Sequence, residues 1–295
     1  NENKQFYGVN VDSTFFGDTL DVNTYFVQQT VDSIVDRQAV GFQSAYFSEK
    51  FNLFSVLDYD VSYQDLNVFL LSGSWSSSDK TSYYFNFDHH NSPFLQTTNA
   101  LQGQTVGTIE DLGLSLTEDE IFQLAEDHTA KTSLINAGIF YVLDGNTRMR
   151  GELSISSNDE TVGSTNVVAI PSSTGDYSIL FQLIEDNYPG TNGVSILQFQ
   201  YSDSSTSKTF KAKLSAQIPF NGHWEIEPQG LITVHENEDN QSYNVLSAGL
   251  RAEYRYRKDF SLEIEFSGDL SNDSVAFEDE AIPNLYLALG YRWYF

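Results

Sequence analysis

The chain has no cysteine. Disulfides, thiolate metal centres and cysteine nucleophiles are therefore excluded. It has one Met and six Pro in 295 residues, and it is short of base: 15 Lys+Arg stand against 41 Asp+Glu, a formal net charge of -26. Phosphate recognition needs a basic face, so nucleic acid is excluded as a partner. No run of 18 apolar residues occurs, which excludes a membrane-spanning helix. Nor is there a signal peptide, since Asn1-Glu2-Asn3-Lys4 leads directly into Gln5-Phe6-Tyr7; the chain reads as a mature or excised segment. Aromatics, by contrast, are abundant: 17 Tyr, 22 Phe and 3 Trp. An acidic chain this rich in aromatics is not a disordered tail.

Strict alternation is the dominant pattern. Over Pro283 to Phe295 the odd positions are Leu285, Leu287, Leu289, Tyr291, Trp293 and Phe295, against Asn284, Tyr286, Ala288, Gly290, Arg292 and Tyr294. Strand side chains point to opposite faces with period 2, so this is a strand with one strongly apolar face. Phe260–Phe266, Leu246–Tyr256 and Phe210–Ile218 repeat it. Further strands read near 6–15, 19–28, 38–47, 51–60, 66–75, 80–88, 132–142, 147–157, 177–185, 194–202 and 224–235. That makes about fifteen. Pro228 inside the 224–235 strand predicts a bulge. One helix interrupts the series near 117–128: Thr117 and Glu120 fit a capping box, and Ile121 and Leu124 follow at helical spacing. It lies in one long connection, 91–130, and no domain boundary or repeat is evident, so 1–295 reads as a single domain.

Long alternating strands fit a soluble sandwich or a membrane barrel. Three features select the barrel. The strands match the length a membrane strand needs. Aromatics stand at the ends of the apolar faces, where interface girdles belong. The connections are also sorted: those after odd-numbered strands are mostly short, whereas 30–36, 61–65, 91–130, 158–176, 203–206, 236–240 and 271–284 hold 21 acidic residues and no Lys or Arg. A sandwich has no reason to sort its charge in this way. We therefore expect an all-β fold, an antiparallel transmembrane β-barrel. Single-chain bacterial barrels have even strand numbers, so about 16 strands are expected, with 14 as the alternative; the odd count also suits a piece of a larger chain.

The C-terminal stretch carries a family resemblance. Tyr286 to Phe295, with Gly290, Tyr291, Trp293 and the terminal Phe295, resembles the assembly signal of bacterial outer-membrane β-barrel proteins. Ala288 departs from it, standing where a polar residue is usual. The resemblance implies insertion by the barrel-assembly machinery, residence in the outer membrane of a Gram-negative bacterium, and contact with its lipid and lipopolysaccharide. It also implies periplasmic short turns and extracellular acidic loops. A narrower resemblance, over 110–295, rests on Leu116 to Ala125 with the hairpin that follows, and on the Gly-Tyr-Arg ending. That region looks like the C-terminal barrel of outer-membrane proteins that carry tetratricopeptide repeats.

The expected inward face of the later strands alternates in sign across the ladder. Lys211 and Lys213 precede Glu225 and Glu227, then Arg251 and Arg255 with Glu253, then Glu263 and Glu265, then Arg292. This reads as a salt-bridged lumen wall or a pore lining; a selective pore shows an excess of one sign, and this wall is mixed. Arg148 and Arg150, with Glu152 as the one evident acid, are the candidates for holding an anionic solute. Asp88, His90 and Ser92 share one strand face, and His-x-Ser resembles outer-membrane phospholipases, but Ser92 is followed by Pro93 rather than Asn-Gly. No metal set is evident and no cofactor is expected, beyond loose Ca²⁺ or Mg²⁺ at acidic runs such as Glu278-Asp279-Glu280. The capped helix suits a plug over a cationic lumen. The function expected is a channel or export conduit, not an enzyme, and the barrel of a larger envelope protein. The alternatives are a silent anchor for a periplasmic or surface partner and, last, a hydrolase.

Overall fold

Fifteen strands follow one another in a single sheet whose order is the chain order, each bonded to its sequence neighbours. This computed structural model describes residues 4–163, 169, 171–239, 241–256, 259–273 and 282–293. The strands are β1 (Lys4–Phe15), β2 (Leu20–Val31), β3 (Ile34–Phe47), β4 (Phe51–Asp60), β5 (Asp65–Ser78), β6 (Thr81–Ser92), β7 (Ala130–Val142) and β8 (Thr147–Asn158). They continue as β9 (Ser173–Tyr188), β10 (Gly193–Asp203), β11 (Ser207–Phe220), β12 (Trp224–Asn237), β13 (Ser242–Arg255), β14 (Phe260–Asp273) and β15 (Ile282–Trp293). The fold is all-β and antiparallel, and the fifteen strands read from alternation are all present.

Connections after odd-numbered strands are tight. The long ones, 93–129 and 159–172, follow even-numbered strands. One expected loop is not there. In place of 30–36 the chain turns through Asp32 and Ser33 alone, both with positive φ (51° and 71°), and the strands extend up to them. Short polar residues tolerate this left-handed pair, which suits the twist of a hairpin. Pro228 makes no bulge either. β12 pairs with β13 without interruption, Pro228 facing Leu250. Toward β11 the ladder lapses beside Pro228 and resumes in the same register at Ile226. The missing N–H removes a bond without adding a residue.

The chain divides into two units: 1–77, 82–137 and 154–176 form the first, and 78–81, 138–153 and 177–295 the second. In the second, register aligns apolar side chains in rows across strands. Leu250, Phe266 and Leu287 form one row, Ile232, Leu246 and Leu270 another. They are outward and bare, with Leu250 48%, Phe266 50% and Leu287 65% exposed. Aromatics close the rows toward the tight turns: Trp224 packs on Tyr254 at 4.9 Å between centroids and Phe260 on Trp293 at 5.7 Å. Tyr177 and Tyr201, 6.0 Å apart, stand at the other strand ends.

The first unit repeats this face, with Trp75 stacked on Tyr83 at 5.5 Å. It also holds a true core, and the core belongs to the long connection. That segment folds into a 3-10 turn (Thr97–Leu101) and two helices, α1 (Ile109–Gly113) and α2 (Glu118–Asp127), where one helix was expected. α1 escapes the periodicity because five residues give little more than one turn. Ala100, Ile109, Leu112, Ile121 and Ala125 pack on Val31 at the tip of β2, with Ile34 and Tyr63 at the edge.

Candidate functional site on the polar face

In the second unit the polar face is an ion-pair lattice. Register sets Glu227 opposite Arg251 and Arg251 opposite Glu265, and sets Glu225 opposite Glu253 and Glu253 opposite Glu263. Directly facing acids repel, and the arginines relieve them by reaching diagonally. Arg251 Nε donates to Glu263 at 2.6 Å and Arg251 Nη1 to both Glu227 oxygens at 3.0 Å. Arg255 donates to Glu253 at 3.1 Å and lies 3.3 Å from Glu225. Arg292 faces Ser261. Among the described residues Lys211, Lys213 and Glu265 make no ion pair. Lys213 and Glu265 line a cavity of about 320 Å³ with Glu227 and Arg251. Arg148 is better matched than expected: Asp186 on β9 accepts from it at 2.6 Å, and its guanidinium lies 5.9 Å from the Phe140 ring centre. Arg150 holds Glu152 at 2.5 Å. Asp186 sits near the end of β9, beyond the alternating stretch, so sequence reading missed it.

In the first unit the polar face carries an anchor for the connection. Two bulges make it. Gln29 pairs with Arg37 and Thr30 with Val35, so Asp36 is the extra residue. Likewise Asp58 pairs with Val68 and Tyr59 with Leu66, leaving Asn67. A bulge re-aims its side chain. Both re-aimed groups, each fully buried, bind the connection: Asp36 accepts from Thr98 N at 2.8 Å and from Gln29 Nε2 at 2.6 Å, and Asn67 Oδ1 accepts from Leu95 N at 2.9 Å. Thr97 adds a bond to Val35 O at 2.7 Å. Neither bulge had a signal in the sequence, because an extra residue shows only against its partner strand.

Between these anchors Arg37 donates to both Asp58 oxygens at 2.7 Å, with Phe94 5.3 Å from its guanidinium. Tyr25 reaches Asp58 at 2.5 Å by lying across Gly41, where a Cβ would collide with the ring. His90 Nδ1 is 2.9 Å from Asp88 Oδ1, and both residues line, with Ser92, a second cavity, in the first unit. His89, His128, His223 and His235 hydrogen-bond separately, to Ser133, Asn99 O, Arg255 O and Thr209. Among the described residues no three His, Asp or Glu side chains gather to hold a metal ion.

The plug residues fall on α2 and its N-cap. Thr117 and Glu120 form the capping box, with Thr117 N donating to Glu120 at 2.8 Å; Ile121 is buried and Leu124 packs beside it. The cap's amide and hydroxyl hold the Glu120 carboxyl below its ordinary range. Burial pushes the Tyr63 phenol up. Of the assembly signal, Gly290, Tyr291 and Trp293 lie on β15, Tyr291 77% exposed, whereas Phe295 lies outside the described residues. Glu278, Asp279 and Glu280 also lie outside them.

No family model matches the sequence, and no curated protein does. Solved structures are similar to it over nearly the whole chain. The outer membrane channel DcaP of Acinetobacter baumannii has a TM-score of 0.44 at 6% identity, with 99% of this chain and 97% of that one covered. A bacterial polysaccharide outer membrane secretin has 0.43 at 8%, covering 99% and 91%. The outer membrane protein OprD from Pseudomonas aeruginosa has 0.42 at 10%, covering 99% and 91%. None of these three is described as a tetratricopeptide-repeat protein. The likeness is one of extent, not of sequence.

Proposed function

We propose that the chain is an outer-membrane β-barrel of a Gram-negative bacterium that conducts solutes, with residues 93–129 docked on its polar wall as a constriction. One observation carries this reading: long strands with an exposed aliphatic face between aromatic rows on one side and an ion-paired polar face on the other. In water so broad an apolar face would aggregate. In a bilayer it meets lipid, while the polar face borders an aqueous path. The acidic connections after even-numbered strands would then face outward, toward lipopolysaccharide and its divalent cations.

Mixed charge on the wall supports a pore without a strong single-ion filter. Passage for a polymer, as part of a larger envelope protein, is the finer form of the same reading. Planar-bilayer recording tests it. We expect discrete conductance steps, larger when 108–129 is deleted. A silent but membrane-inserted protein would transfer the assignment to an anchor for a periplasmic or surface partner.

A further inference from the structure

Glu185 breaks the apolar outward face of the second unit. Along β9 it follows Phe181 and Leu183 on the same side. Register sets it opposite Ser195 on β10, which in turn faces Ala216 on β11. The adjoining row is Leu183, Leu197, Leu214 and Gly230, part of the same outward face. The Glu185 side chain is exposed, and among the described residues it makes no hydrogen bond or ion pair. Asp203, another acid on this face, is by contrast held by the phenols of Tyr177 at 3.4 Å and Tyr201 at 3.2 Å. A bare carboxylate facing lipid is unfavourable, and an ionisable group so placed marks a site of interaction.

Beside Glu185 lies a hollow of about 440 Å³. Across β13 to β15, Leu, Ile and Phe fill the outward rows. Here Ala216, Pro228 and Gly230 leave them low, and the β11–β12 ladder lapses beside Pro228. A Cβ added at Gly230 would meet nothing within 4 Å. Leu197, Leu214 and Ile218 complete an apolar lining; Glu185, Ser195, Gln229 and Tyr188 make its polar part. Tyr188 ends β9 at the tight turn 189–192 and is 39% exposed, and its phenol has no hydrogen-bond partner among the described residues. An accessible anion and an accessible donor thus border one apolar hollow, near the tight-turn end of the sheet.

We propose that this hollow binds a phospholipid whose headgroup carries a primary ammonium. The ammonium donates to the Glu185 carboxylate, the Tyr188 hydroxyl donates to a phosphate oxygen, and an acyl chain covers Ala216, Pro228 and Gly230. Charge selects the headgroup. An anionic one brings a like charge to Glu185, and one without an ammonium leaves the carboxylate unpaired. The inference rests on the reading of the chain as a membrane barrel, but not on conduction.

Native mass spectrometry of the full chain released from detergent micelles tests it. The probes are phosphatidylethanolamine, phosphatidylglycerol and N-acetylated phosphatidylethanolamine with identical acyl chains. We expect one saturable phosphatidylethanolamine per chain, held at least about tenfold more tightly than either of the others, as one charge-assisted hydrogen bond provides. Glu185→Gln keeps the shape, removes the charge and should erase that preference. Gly230→Leu fills the hollow and should abolish saturable binding of all three. Flotation with phospholipid vesicles reports membrane insertion separately. A chain that does not float overturns the membrane reading and this inference together. A chain that floats but shows no preference for phosphatidylethanolamine, keeps the preference in Glu185→Gln, or forms a dimer that Gly230→Leu dissociates overturns this inference alone.

Discussion

Asp58 shows how single residues hold the polar wall of the first unit. It is 3% exposed, and its charge is tolerable because Arg37 donates to both oxygens and Tyr25 adds a hydroxyl. Arg37→Met should cost about 3 kcal/mol, because removing one partner of a buried pair leaves the other charge uncompensated; the urea midpoint of unfolding measures it. Gly41 matters for a different reason. Tyr25 crosses it to reach Asp58, so Gly41→Val should break the Tyr25 bond and destabilise the hairpin, read in the same titration. Alternation marks neither residue: Arg37 lies just before the 38–47 strand it predicts, and 51–60, which holds Asp58, alternates poorly. Nor can alternation show that the two meet, since that depends on the register of β3 against β4.

At the level of elements, the long connection is held by two bulges and a capped helix. Asp36→Ala removes the acceptor for Thr98 N and should cost about 1–3 kcal/mol, leaving a buried donor unsatisfied. Limited proteolysis should then cut within 93–129 while the strands stay protected. The cap of α2 is pH-sensitive. Glu120 has its folded value lowered by the Thr117 amide, so its contribution is present above the ordinary value of 4.5 and is lost as pH falls through the lowered one. Cleavage of the connection should accelerate on acidification below pH 4.5, and in Glu120→Ala it should already be fast at neutral pH and lose that acid step. The capping box was legible in the sequence because it is local: Thr117 and Glu120 are three residues apart. The bulges at Asp36 and Asn67 were not, because each exists only relative to a partner strand.

For the whole molecule, the uneven sorting of charge has an electrical consequence. Acid gathered at one end without base raises the local concentration of cations there. If that end is the mouth of a pore, reversal potentials in a KCl gradient should show a preference for K⁺ over Cl⁻ at low salt. The preference should fade toward 1 M, where the screening length is only about 3 Å. A K⁺ preference that does not change with salt would place the selectivity deeper, at a wall carboxylate such as Glu265.

The amino-acid order determined the strands, their two faces, the capped helix and the one-sided acid, because each follows from period or proximity along the chain. It also marked most of the charged ladder, from Glu225 to Arg292, as a polar face. Tertiary structure decided the pairings within that ladder: Arg251 to Glu263 rather than to the directly opposite Glu265, and Arg148 to Asp186. It also decided that residues 93–129 fold onto the wall, held by Asp36 and Asn67. These outcomes depend on register and on the extra residues at Asp36 and Asn67, and a strand's register is a relation between two segments that neither carries alone.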